Sequence, residues 1–178
     1  MIKQNFVNGY YLPIAFILLV LLILPVHSFS SNHTTSETRQ KAPEFTLSDI
    51  NKNSVSLSDY QGSVRILMFW ATWWPTCRKE LPSLEKLSSK HDKGELKVLL
   101  INIGESAEKV ASFMNERGNS NTVLFDNSGV VSRKYQAIGI PISFVIDKNG
   151  KIVDRLVGYV NWESSKNLAA LDNLISKQ

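Results

Sequence analysis

The sequence predicts an α/β domain, a central mixed sheet flanked by helices and preceded by a β-hairpin extension. Three observations carry that reading. Two nearly continuous apolar runs, Val64–Trp70 ("VRILMFW") and Leu96–Ile103 ("LKVLLINI"), suit strands buried on both faces. Between them Leu81, Leu84 and Leu87 recur at helical spacing. Further on, Asn149-Gly150 separates two short strand-like runs, a strong hairpin signal. Strands joined through a helix pair in parallel, whereas the tight turn adds an antiparallel edge.

The elements follow in order. Phe45–Leu47 and Val55–Leu57 flank the turn-rich "SDINKNS" and predict the hairpin. Ser58–Gly62 is a turn leading into the strand Val64–Trp70. Pro75 suits the first position of a helix, which runs to Lys90 and ends in the basic cluster Lys86, Lys90 and His91. After Leu96–Ile103, Ser106 caps a helix from about Ala107 to Arg117 that stops at Gly118. Val123–Phe125 is a short strand and Gly129–Gln136 a short helix. Ile142–Ile146 and Ile152–Val157 form the closing hairpin. Asn161–Lys177, with Leu168, Leu171, Leu174 and Ile175 on one face, is the last helix.

Residues 1–28 stand apart. Leu12–Val26 is apolar throughout and follows Lys3 and the amino terminus, the pattern of a signal peptide or a membrane anchor. The run is short for a spanning helix of about 20 residues, but Phe6–Tyr11 extends it. Either outcome sends the rest of the chain out of the cytoplasm, to the periplasm or the outer face of the cytoplasmic membrane. Residues 29–41 are polar and aperiodic, a flexible tether. Residues 42–178 are long enough for a single core.

The formal charge is +4, from 20 basic and 16 acidic residues. The basic residues are dispersed, which speaks against a nucleic-acid partner. His27, His33 and His91 lie at no ligand spacing from Cys77, so no metal site is expected, and no cofactor either. Cys77 is the only cysteine, which excludes an internal disulfide framework. The thiol is then a small buried hydrophobe, or a group whose pKa is lowered near a helix start.

Cys77 stands in "FWATWWPTCRKELP", residues 69–82, where an apolar strand meets a helix start. This stretch, with "APEFTLSD" and "VSLSDYQG" before it and "GIPISFVIDKNGKIV" after it, resembles the TlpA/ResA-type thiol–disulfide oxidoreductases of the thioredoxin superfamily. The resemblance runs from about Ala42 to the C-terminus and implies a thioredoxin-like fold with an N-terminal hairpin. Members of that family carry two cysteines two residues apart. The first attacks a substrate disulfide and the second resolves the mixed disulfide. Trp74 stands in the place of the attacker and Cys77 in that of the resolver, so an autonomous dithiol cycle is lost. Glu80, three residues on and on the same helix face, resembles the family's proton-moving acid; an acid in a first turn also simply suits the dipole. Ile140-Pro141 is similar to the cis-proline loop that offers backbone bonds to a substrate chain. Trp73 matches an aromatic before the family's motif. A single-cysteine peroxidase of the same superfamily would need Thr or Ser at 74 and Pro at 70, where this chain has Trp74 and Trp70.

Three functional readings follow from the resemblance. One is an enzyme acting on exported cysteine proteins, such as apocytochromes c during maturation, through Cys77. Another is a redox-inactive module that binds polypeptides at Trp73, Trp74 and Ile140-Pro141. The last is a mutated, non-functional copy.

Overall fold

The computed structural model describes residues 40–91 and 94–177. Seven strands form one sheet: β1 (Thr46–Asp49), β2 (Ser54–Ser56), β3 (Val64–Trp70), β4 (Leu96–Asn102), β5 (Thr122–Phe125), β6 (Ile142–Ile146) and β7 (Ile152–Val157). The helices are α1 (Pro75–Lys90), α2 (Ala107–Asn115), α3 (Val130–Lys134) and α4 (Ser165–Ser176). In space the strands run β2-β1-β5-β4-β3-β6-β7. β3, β4 and β5 are parallel, because each pair is joined through a helix, and the two hairpins add antiparallel strands at both ends. The N-terminal hairpin is therefore part of the main sheet, joined through β1 to β5.

β3 is buried along its whole length, and its side chains alternate between two cores. Ile66, Met68 and Trp70 pack with Leu81 and Leu84 of α1, Val110 of α2 and Leu171 of α4. Leu67 and Phe69 face the other way, onto Phe45, Leu57, Val131 and Tyr135. This double burial is why the strand reads as an unbroken apolar run.

Some boundaries differ from the sequence expectation. Leu57 closes no strand but opens a 3-10 turn, Leu57–Tyr60, with its side chain buried. α2 stops at Asn115, two residues early, with a turn leading to Gly118. α3 is shorter than expected, and left-handed Gly129 stands before it. The last helix starts at Ser165 rather than Asn161. Asn161 instead closes a local turn onto the Glu163 N–H, and Ser164 caps the helix by accepting from Asn167. The hairpin at Asn149-Gly150 is present, with Gly150 left-handed and its N–H donating to the Asp147 carbonyl.

Gln40 and Lys41, grouped with the tether in the sequence reading, are pinned to the sheet. Gln40 accepts from the Ile152 N–H, and Ala42 donates to the Gly150 carbonyl. The chain thus enters at the Asp147–Lys151 turn, the end of the sheet opposite Trp70. Among the described residues no helix is long and apolar enough to cross a membrane. The apolar run Leu12–Val26 and most of the tether lie outside them.

Candidate functional site

β3 ends at Trp70, and the loop Ala71–Trp74 carries the chain into α1. Pro75 is the first helical residue and Trp74 the cap, whose indole makes no capping bond. Cys77, Leu81, Leu84 and Leu87 lie on the face that packs against the sheet, so Cys77 is fully buried, at 0 % exposure. Burial pushes its thiol up to about 11; the nearby backbone of Ala71 favours the thiolate, and the carboxyl of Glu80 opposes it. Proximity to the helix start does not rescue the thiolate here.

Glu80 shares that buried face and is also at 0 % exposure. Its Oε1 accepts from the Trp162 indole at 2.8 Å and from the Ser143 hydroxyl at 3.4 Å. Its Oε2 accepts from the Val160 N–H at 3.1 Å. Burial raises the carboxyl above its ordinary range, and those three hydrogen bonds pull it back in part. Glu80 is therefore no solvated acid matching a helix dipole. It ties α1 to β6 and to the segment before α4.

The two tryptophans of the loop point outward. Trp73 is 56 % and Trp74 40 % exposed, their rings edge-to-face at 5.6 Å. The Ile140-Pro141 bond is cis. Phe69 pairs with Ile142 across β3 and β6, so Pro141 falls beside the end of β3 where the tryptophan loop leaves the sheet. The Gly158 N–H donates to the Pro141 carbonyl, bringing the exposed Val157 and Tyr159 alongside. Among the described residues, neither the N–H nor the C=O of Ile140 has a hydrogen-bond partner. The structure thus gathers Trp73, Trp74, Ile140 and Pro141 at one end of the sheet, with Cys77 and Glu80 beneath them.

One constellation escaped the sequence reading. Glu105, after β4, is buried and takes four donors. Its Oε2 accepts from the Thr72 N–H at 2.6 Å and from Asn102 Nδ2 at 2.9 Å. Its Oε1 accepts from the Thr72 hydroxyl at 2.6 Å and pairs with Lys109 Nζ at 2.7 Å. Burial works to raise this carboxyl, but the hydrogen bonds from Asn102, Lys109 and Thr72 outweigh it and hold it down to about 2. Glu105 therefore clamps the residue that precedes Trp73 and Trp74. A signal existed in Asn102, a polar residue ending an apolar strand. Trp162, the indole on Glu80, gave no signal at all.

Among the described residues the backbone groups of Ile140 are unpaired, and Trp73 and Trp74 at the same end of the sheet are exposed. The site's one thiol is buried, and among the described residues no three His, Cys, Asp or Glu side chains group as metal ligands.

The model of the AhpC/TSA family matches residues 38–155. The thiol-disulfide oxidoreductase ResA of Geobacillus thermodenitrificans is 32 % identical over 154 residues, 84 % of this chain and 88 % of that protein. ResA of Bacillus subtilis is 34 % identical over 131 residues, 73 % of this chain and 72 % of that one. A crystal structure assigned as the thiol:disulfide interchange protein DsbE of Chlorobium tepidum superposes with a TM-score of 0.71 at 31 % identity, covering 77 % of this chain and 96 % of that one.

Proposed function

The chain belongs to the AhpC/TSA family, among the thiol–disulfide oxidoreductases of thioredoxin fold, and on that premise we propose that it is an exported member that binds polypeptides without a redox cycle of its own. One observation carries the reading. The only thiol, Cys77, is sealed in the core with its pKa raised, while Trp73 and Trp74 are exposed beside the free backbone of Ile140. Reduction of a disulfide takes two electrons. One thiolate attacks a substrate sulfur and releases the other as thiolate, and a second thiol then displaces the mixed disulfide. With tryptophan at 74 the first step has no nucleophile. A buried thiol with a pKa of about 11 is a poor substitute.

Export is supported by the apolar run Leu12–Val26 behind Lys3. The polypeptides within reach would be exported ones, and apocytochromes c awaiting maturation are the class that the sequence resemblance points to. Such a chain would lay its backbone against Ile140 and an apolar side chain on the tryptophans.

Disulfide-reductase turnover of the full chain beside Trp74→Cys tests this. The wild type should show no turnover above background and Trp74→Cys should show it, since Glu80 and the proline loop are intact. Turnover by the wild type would sink the proposal and require an external thiol to resolve an intermediate on Cys77.

A further inference from the structure

We propose that the segment held at this surface is acidic, an extended chain in which aspartate or glutamate flanks an apolar side chain, read by Arg78 and Lys79. This deepens, and rests on, the polypeptide-binding reading. Arg78 and Lys79 project from the first turns of α1 just after Trp74, and both are exposed. Lys79 lies over the ring of Tyr159, its Nζ 4.6 Å from the centroid, which holds the cation at the edge of the aromatic patch. Arg155 donates to the Gln136 carbonyl, which also accepts from the N–H of the exposed Ile138.

The neighbouring acids do not neutralise this rim. Glu80 and Glu105 are buried and fully engaged. Glu163 pairs with Lys86, and Asp154 accepts from the Arg155 N–H. Glu108 turns to Ser106 and its own helix start. Among the described residues Arg78 and Lys79 have no ion-pair partner, so the rim is cationic and open.

Tryptophan beside lysine and arginine also suits an anionic lipid surface. Two observations favour a peptide. Ile140, at the same end of the sheet as the tryptophans, has among the described residues an unpaired N–H and C=O, which a neighbouring extended backbone completes and lipid tails do not. The tether also joins the domain at the opposite end of the sheet, so the patch faces away from the entry point.

The test uses the full chain in phosphatidylcholine nanodiscs and two dye-labelled nonapeptides. Both carry a Val-Phe-Val core, flanked by aspartates in one and by lysines in the other. Fluorescence anisotropy should show the acidic peptide binding about tenfold or more tighter at low salt, the gain closing as salt rises. Arg78→Glu with Lys79→Glu, both exposed, should reverse the preference. Trp73→Ala with Trp74→Ala should abolish binding of either peptide. Equal binding of the two peptides, lost on removing the tryptophans, would overturn the charge preference and leave polypeptide binding standing. No binding of either peptide would overturn both. In that case a tryptophan blue shift seen only on anionic discs would assign the patch to lipid headgroups.

Discussion

Replacing Glu105 by glutamine tests how the tryptophan loop is held. In the native protein the carboxylate receives the Thr72 N–H, the Thr72 hydroxyl, Asn102 Nδ2 and Lys109 Nζ. A carboxyl held at about 2 instead of 4.5 stabilises the folded state by about 3 kcal/mol near neutrality, at roughly 1.4 kcal/mol per pH unit. The Lys109 ammonium is 57 % exposed, so its own share is small, about 0.5 kcal/mol. Glutamine keeps one oxygen for two of the donors but turns an NH2 towards the others. A loss of about 2–3 kcal/mol at pH 7 is expected for Glu105→Gln, against about 0.5 for Lys109→Ala. The folded pKa lies below the unfolded one, so the contribution is fully present above 4.5 and is lost as pH falls towards 2. Between pH 7 and pH 3 the carboxylate loses about 2 kcal/mol of its contribution, so at pH 3 the gap between wild type and Glu105→Gln should shrink to about 1 kcal/mol or less. Urea unfolding followed by far-ultraviolet circular dichroism at the two pH values measures both numbers. A gap under about 0.5 kcal/mol at pH 7, or one that stays the same at pH 3, would refute the clamp.

Two further outcomes follow from the buried face of α1. With its thiol pushed up to about 11, Cys77 is about 0.1 % thiolate at pH 8, against roughly a quarter for an ordinary cysteine. Ellman's reagent should therefore label the native protein at least 100-fold more slowly than the urea-unfolded chain, and equal rates would show the thiol to be open. Glu80→Ala strands the Trp162 indole and the Val160 N–H in the interior and should cost about 2–5 kcal/mol, whereas Trp162→Phe, which removes a donor and leaves the acceptor two others, should cost about 1. Urea midpoints of the two variants decide it, and a Glu80→Ala loss no greater than that of Trp162→Phe would show the Glu80 bonds to be incidental.

The fold was legible wherever one physical signal dominated. β3 reads as a strand because both of its faces are buried, and α1 begins at Pro75 because proline has no donor to lose there. The last helix starts four residues beyond Asn161 because Asn161 and Ser164 are both good caps and the local turn at Asn161 leaves Ser164 as the cap. The site was legible in part. Spacing alone puts Cys77, Glu80, Leu81 and Leu84 on one helix face, so burial of the leucines carries the thiol and the acid inward with them. The Thr72–Glu105 bonds join residues 33 apart, and such contacts leave no periodic trace in a sequence. The same holds for Trp162, which meets Glu80 across 82 positions.

These bonds also explain how the fold tolerates tryptophan at 74. The side chain at that position makes no cap bond and stands 40 % in solvent. The loop is held two residues earlier, by Thr72 on Glu105, and the helix starts one residue later, at Pro75. Beneath it, Glu80 fixes α1 to β6 and to Val160 without reference to residue 74. The loop and the helix are thus held without any bond from the side chain at 74, one of the two positions that a dithiol cycle needs. On the proposed reading, an indole there supplies no nucleophile and adds apolar surface, while Thr72–Glu105, Pro75 and Glu80 hold the loop and the helix. On that reading, the absence of redox turnover and the presence of a peptide surface both follow from tryptophan at this outward-facing position.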